Sequence, residues 1–189
     1  MSWVAYDTDQ VPPITQAEQE NNVNIIAAFF RNEGWTDNAI AAMLGNMQVE
    51  SYLNPCQFEL NQNYSMAYGF GLVQWTPATK LSDYVGYNWR TDYDAQLDRI
   101  RYEWGNEIQW IPRSVYGSMS FHDFSTSTAN VRYLAEVFER CYENPLDWQA
   151  SVAVRQNYAD NWYTYLGGTP TPFSNLPIWL LFKIRWRGK

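Results

Sequence analysis

The chain is poor in the residues that usually announce metal or redox chemistry. Of its 189 residues, two are cysteines, Cys56 and Cys141, and one is a histidine, His122. There is no Cys-x-x-Cys or His-x-x-x-His spacing, so no metal centre is expected. His122 lies between Phe121 and Asp123, where a helix start or turn is expected, and it reads as a surface or capping residue. Two cysteines allow one pairing, and sequence does not show whether their Cα atoms come within bridging range. Free thiols are expected in a reducing compartment and a disulfide only outside it.

Long apolar runs are also missing. No stretch reaches the roughly 18 to 20 consecutive apolar residues of a membrane span, and the opening Met1-Ser2-Trp3-Val4-Ala5-Tyr6-Asp7 lacks the basic start and apolar run of a signal peptide. Positive charge is scarce in the body. The net charge is −7, yet four of the thirteen bases, Lys183, Arg185, Arg187 and Lys189, stand at the C-terminal end, leaving residues 1–175 at −11. A nucleic-acid-binding face needs clustered Lys and Arg, so nucleic acid is not an expected partner.

Aromatic residues, by contrast, are abundant: ten Trp and fourteen Tyr exceed nine Phe. Trp and Tyr join an apolar face to a polar edge, which suits both core packing and stacking on sugar rings. Most are expected in the core.

Along the chain, residues 1–14 carry Pro12 and Pro13 without periodicity and read as an extended arm. Thr15-Gln16-Ala17-Glu18 is a capping box opening a helix that runs to Gly34. Thr36 can cap a second helix, in which Ile40, Met43, Leu44 and Met47 share one face. Thr76-Pro77 reads as the start of a short helix. Leu97 to Ile111 mark another, Val131 to Tyr142 a further one, and Trp148 to Leu166 a last one closed by Gly167-Gly168. About six helices and one short β-hairpin predict an α+β domain over residues 15–168. Thr169-Pro170-Thr171-Pro172 reads as a linker to a cationic amphipathic tail. In that tail, residues 176–189, apolar residues alternate with cations, a pattern that fits a membrane surface, a companion protein, or packing on the chain's own acidic body.

Two motifs carry chemistry. Glu50 lies three residues beyond Met47 and ten beyond Ile40, on the side of the apolar stripe. Partial desolvation and the negative end of the helix dipole both disfavour its ionisation, as a general acid requires. Taken alone, the same position also fits a surface glutamate in a last helical turn. The second motif is Gly69-Phe70-Gly71-Leu72-Val73-Gln74-Trp75, whose β-forming residues read as a hairpin strand. Its glycines permit close backbone approach, Gln74 offers donor and acceptor, and Trp75 offers a stacking face. No basic residue follows that could meet a phosphate, so a nucleotide loop is disfavoured.

Together with Asn32-Glu33-Gly34-Trp35-Thr36, Met43 to Ser51, Asn54-Pro55 and Phe138 to Pro145, these motifs resemble the bacteriophage tail lysozyme family over roughly residues 20–168. The resemblance implies a lysozyme-like fold, no cofactor, and cleavage of the β-1,4 bond between N-acetylmuramic acid and N-acetylglucosamine in peptidoglycan. It implies Glu50 as the catalytic acid, a cleft lined by Gly71, Gln74 and Trp75, and Tyr142 closing the far wall. Glycan strands would be the partner, with other phage tail proteins or a membrane surface met through residues 176–189. The place of action would be the virion tail or the host envelope. Where members of the family often carry arginine, this chain has Asn144. A second carboxylate is not singled out among Glu59, Asp83, Asp92, Asp94, Glu139 and Glu143. Two other readings stay open: a lytic transglycosylase on the same fold, and a wall-binding tail protein without catalysis.

Overall fold

A computed structural model describes residues 2–169. Seven α-helices follow in chain order: α1 (Gln16–Asn32), α2 (Asp37–Ser51), α3 (Thr79–Val85), α4 (Asp94–Gly105), α5 (Phe121–Ser125), α6 (Val131–Phe138) and α7 (Trp148–Tyr165). A π-helical turn, Glu139–Glu143, continues α6.

The local start signals are in place. Thr15 N–H donates to Glu18 Oε2 at 2.8 Å and Glu18 N–H to Thr15 Oγ1 at 3.4 Å, closing the capping box of α1. Gly34 sits at φ 84°, the left-handed conformation that ends the helix without a Cβ clash. Thr36 Oγ1 accepts from Ala39 N–H at 3.2 Å and caps α2. Two later boundaries differ from expectation. α3 starts at Thr79 rather than Pro77, and α4 stops at Gly105, leaving Ile108 and Ile111 in an exposed loop.

α2 is the axis of the domain. Every residue from Ala39 to Gln48 is buried, so the helix is enclosed on all sides rather than along one stripe. α7 crosses it closely at Gly45: a Cβ there would stand 2.5 Å from the Arg155 carbonyl oxygen and 2.6 Å from the Ala159 nitrogen. Only a glycine lets the two backbones meet at that separation. Beside α2, Trp35 packs edge-on against Trp104, Phe121 and Phe124, and Trp110 stacks on Phe121 at 4.6 Å. Much of the aromatic content is core.

Residues 2–14 are strapped to this body by side-chain amides that imitate strand pairing. Asn22 accepts from Val4 N–H at 3.0 Å and donates to Val4 O at 2.8 Å. Asn54 does the same for Tyr6, at 2.9 and 2.8 Å.

The expected α+β fold with a β-hairpin is corrected here: the regular elements among the described residues are all helices, with no strand or sheet. Residues 70–75 form a turn closed by the lone antiparallel pairs Phe58 with Phe70 and Phe70 with Trp75. Gly71 at φ 84° and Gln74 at φ 49° leave the extended region on both sides of Leu72-Val73. Those two neighbours are both buried, where a half-buried strand would alternate. Side chains replace the missing ladder: Leu72 N–H donates to Gln96 Oε1 at 2.9 Å, and Ser51 Oγ donates to Leu72 O at 3.0 Å. The turn is thereby pinned to the C-terminal end of α2.

No helix among the described residues is long and apolar enough to cross a membrane. Cys56 and Cys141 are buried free thiols. The expected linker from Pro170 and the tail 176–189 lie outside the described residues.

Candidate active site

Where the C-terminal end of α2, the 70–75 turn and the π-helical turn converge, a cavity of about 530 Å3 opens. Glu50, Glu59, Val73, Gln74, Trp75, Tyr142 and Glu143 are among its walls. Glu50, Gln74, Trp75 and Tyr142 are thus gathered at one place from three separate segments. Gly71 is not on the wall. Its positive φ and the 2.6 Å that would separate a Cβ from Gln96 Oε1 make it the residue that lets the turn form.

The turn and wall residues are more committed than their types suggest. The Gln74 amide donates to Gln57 O and to Gly71 O, both at 3.0 Å, so its donor holds the turn rather than facing the cavity. Trp75 is 2% exposed, which leaves little of the stacking face expected of it. Its Nε1–H donates to Glu103 Oε1 at 3.1 Å. Tyr142 is fully enclosed, stacked on Phe138 at 4.7 Å, and its hydroxyl donates to Glu103 Oε2. Glu103 also receives Arg99 Nε–H at 2.7 Å, so this buried carboxylate of α4 ties both aromatic wall residues to one anchor. Burial, followed by the charges of Glu103 and Glu143, pushes the Tyr142 hydroxyl well above the usual tyrosine range.

The carboxylates form a network around Arg155, a residue of α7 that is 4% exposed. Arg155 Nη2 donates to Glu50 Oε1, and Nη1 donates to Asn46 Oδ1 at 3.0 Å. Nε lies 3.0 Å from Glu139 Oε1, an ion-pair contact without hydrogen-bond alignment. Ser151 Oγ donates to the same Glu139 oxygen. Burial by itself would lower the Arg155 pKa, but Glu50, Glu143 and Glu139 more than offset it and hold the guanidinium above its ordinary value.

Glu143 is the carboxyl most driven to keep its proton. Burial first, and then the Glu50 charge, push it well above the ordinary glutamate range, with Arg155 opposing. Its Oε1 is closed to solvent and has no hydrogen-bond partner. Glu139 is raised as well, mainly by burial, against the pull of Ser151 and Arg155. The π-helical turn makes this placement, since the extra residue per turn swings Tyr142 and Glu143 to the cavity; such turns recur at functional sites.

Sequence reasoning named Glu143 among six unranked acids and missed Arg155, Glu103 and the role of Asn46. A signal for Arg155 was present: it stands between Val152 and Ala159 on the stripe that Trp148, Val152, Ala159 and Trp162 mark along α7. A cation at a core position requires a buried partner.

A family model described as phage tail lysozyme matches residues 21–166 of the chain. This chain belongs to the phage tail lysozyme family. It is 38% identical over 157 residues to "Morphogenesis protein 1" of Bacillus phage B103. That alignment takes in 82% of this chain and 42% of the relative, so the chain spans less than half of the relative's length. The family match covers all seven helices except the first turn of α1, and includes the whole Glu50, Glu143 and Arg155 network. Among the described residues, no group of three or more His, Cys, Asp or Glu side chains could hold a metal ion.

Proposed function

We propose that this chain is a peptidoglycan glycosidase of a bacteriophage tail. In this reading it is a muramidase that cuts the β-1,4 bond between N-acetylmuramic acid and N-acetylglucosamine, with residues 15–168 as the catalytic unit. The observation that carries it is the position of Glu50 on the wall of the 530 Å3 cavity, which the buried carboxyl of Glu143 shares, with Arg155 behind it. The lysozyme family supports the reaction class, and the name of the Bacillus phage relative supports a place in the virion.

Burial and the neighbouring Glu50 charge favour the protonated form of Glu143 on the cavity wall. Glu50 delivers a proton to the leaving glycosidic oxygen, and the Glu143 carboxyl on the same wall is a second proton-holding group. The water that attacks the anomeric carbon gives up one proton, which restores the acid. Arg155 holds the Glu50 carboxylate in place once it has given its proton up. Tyr142, Gln74 and Trp75 shape the cavity that receives the glycan, and Gly71 keeps the turn that carries Gln74 and Trp75.

Glu50→Gln keeps the shape of the side chain and removes the ionisable proton. The variant loses most turnover on purified cell walls, and retained turnover overturns the assignment. Mass spectrometry of the wild-type products distinguishes the chemistry: reducing sugar ends mark hydrolysis, and 1,6-anhydro ends mark a lytic transglycosylase. Wall binding without solubilisation by the wild type marks a binding protein instead.

A further inference from the structure

Lys80 is the only lysine among residues 2–169, and it stands on the wall of the cavity that Glu50, Glu59 and Glu143 share. Among the described residues no carboxylate pairs with it, although acids are plentiful. Arg31, Arg90, Arg99, Arg101, Arg132 and Arg155 each hold one. The acids on the wall with Lys80 are engaged elsewhere. Glu50 receives Arg155, Glu59 Oε2 accepts from Gly69 N–H at 3.0 Å, and burial favours the protonated form of Glu143.

The lysine is held in place all the same. Its ammonium donates to Gln109 Oε1 at 3.2 Å, and the Gln109 amide donates onward to Tyr142 O at 3.2 Å. Gln109 lines the same cavity, so the ammonium is fixed at that wall and tied through Gln109 to the π-helical turn. Both side chains are half-buried and so remain open to water. An ammonium has three donors, of which Gln109 uses one, and the other two meet no acceptor among the described residues. A positioned cation with free donors and no internal counter-charge is a receptor for an anion from outside the chain.

The choice of anion rests on the function proposed above. Muramic acid is glucosamine carrying a lactyl ether, and the carboxylate of that lactyl arm is the one ionised group of a peptide-free glycan strand. We propose that Lys80, positioned by Gln109, is the specificity-determining residue that receives the lactyl carboxylate of N-acetylmuramic acid. Its ammonium tells apart the two sugars that alternate along the strand, which the acids of the same wall do not do.

The test uses the full chain carrying Glu50→Gln, so that no sugar is turned over, and titration calorimetry with three soluble saccharides. These are a peptide-free tetrasaccharide of alternating N-acetylglucosamine and N-acetylmuramic acid, the same tetrasaccharide bearing stem peptides, and the neutral tetra-N-acetylchitotetraose. The peptide-free muramyl saccharide binds more tightly than the neutral one, and adding Lys80→Gln cuts that preference about tenfold, the lower end for a charge-assisted bond at a partly wet wall. Lys80→Arg keeps the charge and part of the preference. Added salt weakens the muramyl saccharide more than the neutral one, and Lys80→Gln removes that difference. Gln109→Ala, which releases the ammonium without removing it, lowers the preference by a smaller factor and serves if Lys80→Gln does not fold. Equal binding of the muramyl and neutral saccharides, or a preference that Lys80→Gln leaves intact, overturns the assignment. Dependence on Lys80 for the stem-bearing saccharide alone overturns the lactyl group as the anion. If wild-type protein cuts walls while the preference ignores Lys80, this inference falls by itself; if the preference depends on Lys80 while walls stay uncut, the proposed reaction falls and the recognition stands.

Discussion

Arg155 reaches from α7 to donate to Glu50 at the end of α2, joining two residues 105 positions apart in the chain. The side chains are 5% and 19% exposed, so the pair is formed mostly out of water. Removing one partner from such a pair leaves an uncompensated charge, which is far more damaging than deleting both.

Arg155→Met is therefore expected to destabilise the protein by about 3–5 kcal/mol, since Glu139 and Glu50 both lose their counter-charge. Urea denaturation of the two proteins measures it. Arg155→Lys keeps a charge without the planar fork and recovers only part of the loss.

Gly45→Ala tests the close crossing of α2 and α7. The added methyl would stand 2.5 Å from the Arg155 carbonyl oxygen, against backbone that cannot rotate away. Overpacking of this kind destabilises by about 1–3 kcal/mol. Because the displaced segment carries Arg155, wall-lytic activity falls as well. A variant as stable and as active as the wild type would show that the crossing has slack.

Glu143 makes stability depend on pH. Its folded pKa is raised well above the ordinary value of 4.5, so the folded state binds a proton more tightly than the unfolded chain. That contribution is fully present below the unfolded pKa and is lost as pH rises from 4.5 toward the folded value. Glu143→Gln imitates the protonated form and removes the loss. Thermal melts across pH are expected to show the variant melting above the wild type at neutral pH, with the gap closing near the unfolded pKa. On walls, the same variant has a reduced rate and an altered alkaline limb of its pH profile.

Tyr142→Phe removes the hydroxyl donor from Glu103, a carboxylate with no solvent access. Leaving part of that buried acceptor unpaired costs about 1–3 kcal/mol, readable as a lower melting temperature. Trp75 and Arg99 still hold Glu103, so the fold persists while the cavity wall loosens.

What was legible in the sequence was short in range. The Thr15 and Glu18 box, the Thr36 cap and the helical position of Glu50 each depend on residues within one or two turns, where a repeat of 3.6 and a hydroxyl beside a helix start determine geometry unaided. The stretch Leu72 to Trp75 misled for the same reason. Its residue types favour a strand locally, but Gln96 and Ser51, distant in the chain, satisfy its backbone and bury both faces, so a turn forms where a hairpin was expected.

The sequence by itself determined the family, the helices and the place of Glu50, because those are written in local pattern and ordered motifs. Only the tertiary structure decided which acids keep company with it. Burial and a shared cation set the state of Glu143 and Glu139, and both depend on α2 and α7 meeting at Gly45, a distance that no local spacing encodes.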